Sequence, residues 1–303
     1  MQFLFHKKQI ICTDISDFFD TGKKIQVFVA RLDQLHPIVS GNKIFKLWYY
    51  LQECNQHNKK ALLTFGGAYS NHLVATAYAC KTYGIAATGI VRGEEPGQLS
   101  PTLLACKEYG MNLIFMSRQA YKEIATQENT HGLLEEYNDP IIVPEGGYGK
   151  KGAMGASLIT DLLAQKNATH ICTAVGTATT LAGLSLSAHQ NTKTIGIPVL
   201  KNLNDIPDRL FFLTGKTNHP NIKLFSDYHE GGYAKHTKKL IQFMNRFYTE
   251  THIPTDFVYT GKLMYAITDL IHKNYFKNGS KIICLQTGGL QGNMGLPADT
   301  LIF

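Results

Sequence analysis

Short apolar runs alternate with stretches of helical spacing along most of this chain. The run 61-ALLTF-65 reads as a buried strand; a glycine pair follows it, then a helix from about His72 to Tyr83. A strand over 85–93 comes next. Ser100 and Pro101 suit the cap and first turn of a helix that runs to Gly110, a residue that suits its C-cap. Residues 111–117 read as a strand, about 119–136 as a helix and 141–143 as a strand. The second half repeats the theme. A strand over 170–175 leads through Gly176 into a helix, then a strand over 194–200. A strand over 222–228 precedes Gly231-Gly232 and a helix through about 248. A helix near 261–275 precedes the last strand, 281–287. Before all of these, Ile44, Leu47, Trp48 and Leu51 recur at i, i+3, i+4, i+7, one face of a helix that opens near Lys43. Strict alternation with short apolar strands predicts an α/β fold whose parallel sheet is covered on both sides. The pattern runs once before and once after about residue 150, which predicts two lobes.

Composition leaves this picture standing and removes several function classes. The chain has 303 residues, 44% hydrophobic and 17% charged, as in an ordinary globular protein. The formal net charge of +7 is spread thinly, with no basic block interleaved with aromatics, so no nucleic-acid partner is expected. No run of about 18 apolar residues suggests a membrane span. The start, MQFLFHKKQIICTD, lacks the pattern of a signal peptide. Six cysteines sit mostly in apolar segments, with no C-x-x-C pair and no close histidine. They predict small core residues in a reducing cytoplasm, with neither disulfides nor a metal site.

In open α/β sheets ligands bind beyond the carboxyl ends of strands. The loops there carry the candidate chemistry. Ser40, Gly41 and Asn42 are cap and turn residues, which puts Lys43 in a first helical turn. A cation there opposes the helix dipole. It is a poor place for a structural lysine and a good one for an amine that must lose its proton. The dipole and nearby Lys46 are both expected to lower its pKa. The loop 66-GGAYSNHL-73 offers backbone N–H groups of Ser70, Asn71 and His72 at a helix start, suited to a carboxylate. An ordinary N-cap explains the same residues. Gly176, Thr177, Ala178, Thr179 and Thr180 form a hydroxyl-rich nest suited to phosphate, without the pattern of a P-loop or of G-x-G-x-x-G. The stretch 144–156 holds five glycines and reads as a lobe-crossing loop or a linker. Thr287, before another glycine pair, is a candidate donor to a ring nitrogen. Tyr259 suits stacking, proton handling or plain packing. An amine, a phosphate nest and a carboxylate site are together what pyridoxal phosphate chemistry on amino acids requires.

The motifs GNKxxKL, GGxxSNH, PEGG, G-T-x-x-T, YxGK and QTGG follow one another from about Arg31 to Gly292. In them the chain resembles the D-cysteine desulfhydrase and 1-aminocyclopropane-1-carboxylate (ACC) deaminase family. These are pyridoxal 5'-phosphate lyases and deaminases of the tryptophan-synthase β-like fold. The resemblance implies a smaller lobe, 45–155, inserted into a larger cofactor-binding lobe of 1–44 plus 156–303. It implies that Lys43 carries the cofactor as a Schiff base. Asn71 would meet the ring hydroxyl, the Ser70–His72 loop the substrate carboxylate, and the Gly176–Thr180 loop the phosphate. Ser70 and Tyr259 match positions near the reacting carbons. A homodimer acting on a small amino acid is also implied.

The chain departs from the family at Ser40 and Phe45, where Gly and Arg are usual, and at Ala178-Thr179, where a glycine pair is usual. It also lacks the tyrosine that ACC deaminases carry after the last glycine pair, since 288-GGLQGNMG-295 has none. This favours α,β-elimination from D-cysteine or a related β-substituted amino acid, giving pyruvate, ammonia and sulfide. ACC deamination is the alternative within the family. Outside it stand a catalytically silent protein that binds pyridoxal phosphate or an amino acid, and a nucleotide-binding α/β protein.

Overall fold

The computed structural model describes residues 9–19, 22, 24–125, 135–137 and 139–303. The chain first lays down Cys12–Asp14 (β1) and Gln26–Arg31 (β2). It then leaves to build a separate parallel sheet. That sheet holds Ala61–Gly66 (β3), Ala86–Arg92 (β4), Asn112–Met116 (β5) and Ile141–Val143 (β6), in the order β5-β4-β3-β6. The chain returns with His170–Val175 (β7), Lys193–Pro198 (β8), Ile222–Leu224 (β9) and Lys281–Gln286 (β10). These join the first two strands in the order β1-β2-β10-β7-β8-β9, in which β1 alone runs antiparallel to its neighbour. The last strand thus lies at the middle of the sheet. Ile282, Ile283, Cys284 and Leu285 are all buried, as covering on both faces requires.

The helices are Lys43–Gln56 (α1), Asn71–Tyr83 (α2), Pro101–Glu108 (α3), Arg118–Ala125 (α4), Lys150–Leu163 (α5), Thr179–Ser187 (α6), Ile206–Thr214 (α7), Lys238–Thr251 (α8) and Thr260–His272 (α9). One apolar core joins Phe45, Leu47 and Leu51 of α1 to Leu73 and Ala77 of α2 and Ile159 of α5. It sits between the sheets and fixes α1 against both.

The helix expected over 119–136 is present as far as Ala125, and 126–134 lie outside the described residues. Three other points differ from expectation. The strand expected over 222–228 stops at Leu224, and Ser226–Tyr228 is a single 3-10 turn. The strands β1 and β2 were not foreseen. The glycine-rich stretch 144–156 is a loop only to Gly149; from Lys150 it is helical. Its glycines serve close packing. A Cβ on Gly155 would lie 1.9 Å from the Phe45 carbonyl oxygen, and one on Gly152 would lie 2.0 Å from that of Gly147. On the facing helix α6, a Cβ on Gly183 would lie 2.5 Å from the Ala153 oxygen. Tertiary packing here overrides the helix propensity that glycine lacks.

Candidate active site

The loops after β3, β7 and β10 and the start of α1 meet at the carboxyl ends of the parallel strands. Gly41 makes the first junction. Its φ is +68°, and a Cβ there would lie 1.6 Å from the Thr287 carbonyl oxygen, so only glycine fits. The Asn42 N–H donates to that same oxygen at 3.1 Å. Asn42 does not cap α1 with its side chain. Its Oδ1 accepts from Lys43 Nζ at 2.8 Å, and its Nδ2 donates to Thr180 Oγ1 at 2.9 Å. One buried amide therefore ties the lysine to the threonine-rich loop.

Burial lowers the Lys43 pKa to about 8, against an opposing pull from Asp256. Lys46 is held well below its usual value by burial and then by the charge of Lys43. Its Nζ donates to the Gly146 carbonyl oxygen at 3.1 Å, which holds the PEGG turn against α1. The relation expected between the two lysines is thus reversed. The charge of Lys43 bears on Lys46, while the Lys43 shift itself comes from desolvation.

Ser70 caps α2: its Oγ accepts from the Leu73 N–H at 3.3 Å. Asn71 Nδ2 donates to the Gly289 carbonyl oxygen at 3.2 Å, while its Oδ1 is buried without a partner. Gly289, at φ +84°, has no room for a side chain, since a Cβ would lie 1.7 Å from Asn71 Nδ2. His72 turns its ring away into the small sheet. Its Nε2 lies 2.9 Å from Thr64 Oγ1, which itself donates to the Val143 carbonyl oxygen at 2.8 Å. Thr64 must accept from the ring, so the Nε2–H tautomer is fixed and Nδ1 is left bare. Burial, then the charges of Lys43 and Lys46, push the His72 pKa well down. At the loop His72 therefore presents its backbone N–H, and its neutral ring serves as an anchor.

In the loop after β7, Thr177 Oγ1 and Thr179 Oγ1 are 2.8 Å apart, and Thr179 and Thr180 are buried at the start of α6. Ala178 holds φ +64°, the left-handed region that a side chain strains and glycine does not. This accounts for the glycine usual at this place. A Cβ on Gly176 would meet Tyr259 Cε1 at 3.2 Å, which seats the phenol ring against the same loop. Tyr259 in turn is set by Asp256, a residue the sequence reading missed. Asp256 is 2% exposed. It accepts from the N–H groups of Val258 (3.0 Å), Tyr259 (2.7 Å) and Thr260 (3.0 Å) and from Thr260 Oγ1 (2.6 Å). Burial raises its pKa, against these hydrogen bonds. It is the anion at the positive end of α9. The signal was an aspartate four residues before the Thr260 that starts a helix, a capping pattern close to the Tyr-Thr-Gly-Lys motif. Thr287 is buried just past β10 and offers its carbonyl oxygen to Asn42.

The arrangement can do three things. A mostly buried amine with a pKa near neutrality can attack a carbonyl and later move a proton. A left-handed turn at a helix start, lined by the mutually hydrogen-bonded hydroxyls of Thr177 and Thr179, can cradle a phosphate. An orphaned amide oxygen on Asn71 and the backbone at the α2 start can meet polar groups on a ring and a carboxylate. Pyridoxal phosphate bears an aldehyde, a phosphate, a ring hydroxyl and a ring nitrogen, and these residues fit it.

Comparison with known proteins agrees. The family described as "Pyridoxal-phosphate dependent enzyme" matches residues 13–288. A Pyrococcus abyssi protein named for ACC deaminase is 31% identical over 291 residues, covering 88% of this chain and 86% of its own. The mitochondrial bifunctional D-cysteine desulfhydrase/ACC deaminase of Arabidopsis thaliana is 28% identical over 294 residues, covering 88% and 73%. The crystal structure of an ACC deaminase homologue superposes with a TM-score of 0.79 at 27% identity, over 94% of this chain and 91% of that one.

Proposed function

Because the chain belongs to the family of pyridoxal-phosphate-dependent enzymes, we propose that it eliminates the β-substituent of D-cysteine or a related small amino acid. With water, D-cysteine gives pyruvate, ammonia and hydrogen sulfide. The observation that carries this reading is Lys43, an amine pushed to a pKa of about 8 and hydrogen-bonded through Asn42 to the Gly176–Thr180 loop. Bound cofactor supplies the electron sink that stabilises the carbanion formed at the α-carbon. Lys43 would hold the cofactor through its Nζ, and the same amine would take the α-proton of the substrate. Gly176, Thr177, Ala178, Thr179 and Thr180 hold the phosphate. Asn71 meets the ring hydroxyl and Thr287 the ring nitrogen. The backbone N–H groups of Ser70, Asn71 and His72 hold the substrate carboxylate. The Ser70 hydroxyl and the Tyr259 phenol attend the proton transfers.

The four-stranded sheet belongs to the smaller lobe, 45–155, and the six-stranded sheet to the larger lobe of 1–44 plus 156–303. Free, mostly buried cysteines suit a cytoplasmic protein, and the family resemblance supports a homodimer. No described helix is long and apolar enough to cross a membrane.

ACC deamination is the second reading, favoured by the names of two relatives and disfavoured by the missing tyrosine in 288–295. Product assays separate them. Sulfide and pyruvate from D-cysteine, with none from the Lys43→Ala variant, is the expected result. α-Ketobutyrate from ACC without sulfide from D-cysteine moves the assignment to the second reading. Undiminished turnover by Lys43→Ala sinks both.

A further inference from the structure

Lys262 is a buried amine that the reaction above leaves without a task. It is 0% exposed and lies on α9 less than one turn beyond Tyr259. Burial lowers its pKa to about 8, against the opposing charges of Asp256 and Glu230. An apolar side chain could fill the same space without the penalty of desolvating an amine. The amine has one evident use, because its Nζ donates to the Gly232 carbonyl oxygen at 2.7 Å.

That carbonyl belongs to a turn built for a narrow purpose. Gly231 and Gly232 hold φ of +95° and +112°, which side chains resist. The Gly231 N–H donates to His229 Nδ1 at 3.1 Å, and the Gly232 N–H to the His229 carbonyl oxygen at 2.9 Å. The turn delivers the next residue, Tyr233, edge-on to the Tyr259 ring, with centroids 6.1 Å apart and planes at 71°. Tyr233 is 49% exposed, so packing from the solvent side does little to hold it there. Tyr259 is thus pressed between Gly176 on one side and Tyr233 on another.

We infer that Lys262 is a positioning residue: it clamps the Gly231–Tyr233 turn so that Tyr233 bears on Tyr259 and fixes the phenol at the reacting centre. This rests on the proton-handling role proposed for Tyr259. A readout independent of turnover separates the two. The protein is labelled with 3-fluorotyrosine, and the Tyr259 fluorine resonance is identified by its loss in Tyr259→Phe. In Lys262→Met that resonance is expected to shift and broaden, with the same change in Tyr233→Leu and no further change in the double variant. With D-cysteine, kcat is expected to fall about 10- to 100-fold in each, with KM little changed and the two losses not adding. An unchanged Tyr259 resonance in Lys262→Met overturns the inference, as do losses that add in the double variant. A shifted resonance with unchanged kcat overturns the catalytic part. If the wild type fails to turn over D-cysteine, the reading of the reaction falls while the resonance still decides the clamp. If Lys262→Met does not fold, Tyr233→Leu, at a half-exposed position, carries the test alone: an unmoved resonance overturns the inference.

Discussion

Lys43 acquires its chemistry from where it is put. Desolvation favours the neutral amine, and Asp256 limits the effect, leaving a pKa of about 8. The sign of the pH dependence follows. Below about 8 the amine is protonated in folded and unfolded chains alike, and the fold bears the cost of burying that charge. Between about 8 and the ordinary value of 10.5 the unfolded chain binds more protons, so the cofactor-free fold gains stability as pH rises. The rate at which cofactor-free protein captures pyridoxal phosphate should therefore rise through pH 8 and level off above it, as stopped-flow absorbance would record. A rate that keeps rising past pH 8 towards 10.5 without levelling would mean that burial leaves Lys43 unshifted. The lysine was legible in the sequence because its signal is local, a Gly-Asn turn followed by a helical face. Its controlling neighbours were not. Asn42 meets Thr180 across 138 positions of chain, and Asp256 acts on Lys43 from more than 200 positions away. No spacing rule reaches that far.

At the level of elements, the apolar runs of β3, β4, β7, β8 and β10 announced themselves because buried parallel strands need little besides bulk and short length. The strands β1 and β2 escaped notice for the opposite reason: β1 has three residues, none of them buried, and β2 mixes exposed and buried positions. The helix α5 was concealed by its own packing. Glycines at 152 and 155 weaken the local helical signal, yet they let α5 lie against the backbone of Phe45 and Gly147. Gly155→Ala should accordingly destabilise the fold by about 1–3 kcal/mol, since the new methyl meets fixed backbone instead of a movable side chain. Gly97→Ala, where a Cβ meets nothing within 4 Å, should change stability by less than about 0.5 kcal/mol. Urea unfolding of the two variants is the check. Equal midpoints would show that α5 can yield and that the close approach is incidental. A loss at position 155 should also weaken cofactor retention, because Phe45 lies two residues after Lys43.

For the whole molecule, the topology explains how loops far apart in the chain become one site. The chain starts one sheet, leaves it after β2, builds a second, and returns to close the first with β10 at its centre. The helix that opens with Lys43 begins at the point of departure, and Thr287 directly follows the final central strand. The bond from the Asn42 N–H to the Thr287 carbonyl oxygen joins these two places. The fold class and the order of the motifs were readable because they follow from alternation and local spacing. The close fit between the loops was not, since it depends on backbone approaches such as Gly41 on Thr287 and Gly289 on Asn71. The most direct test of the account is the visible absorption spectrum of the purified protein supplied with pyridoxal phosphate, taken before and after D-cysteine is added. The account predicts a lysine-bound cofactor band in the wild type that is missing in Lys43→Ala and that changes with D-cysteine as sulfide appears. A wild-type band that D-cysteine leaves untouched, with no sulfide released, would contradict it.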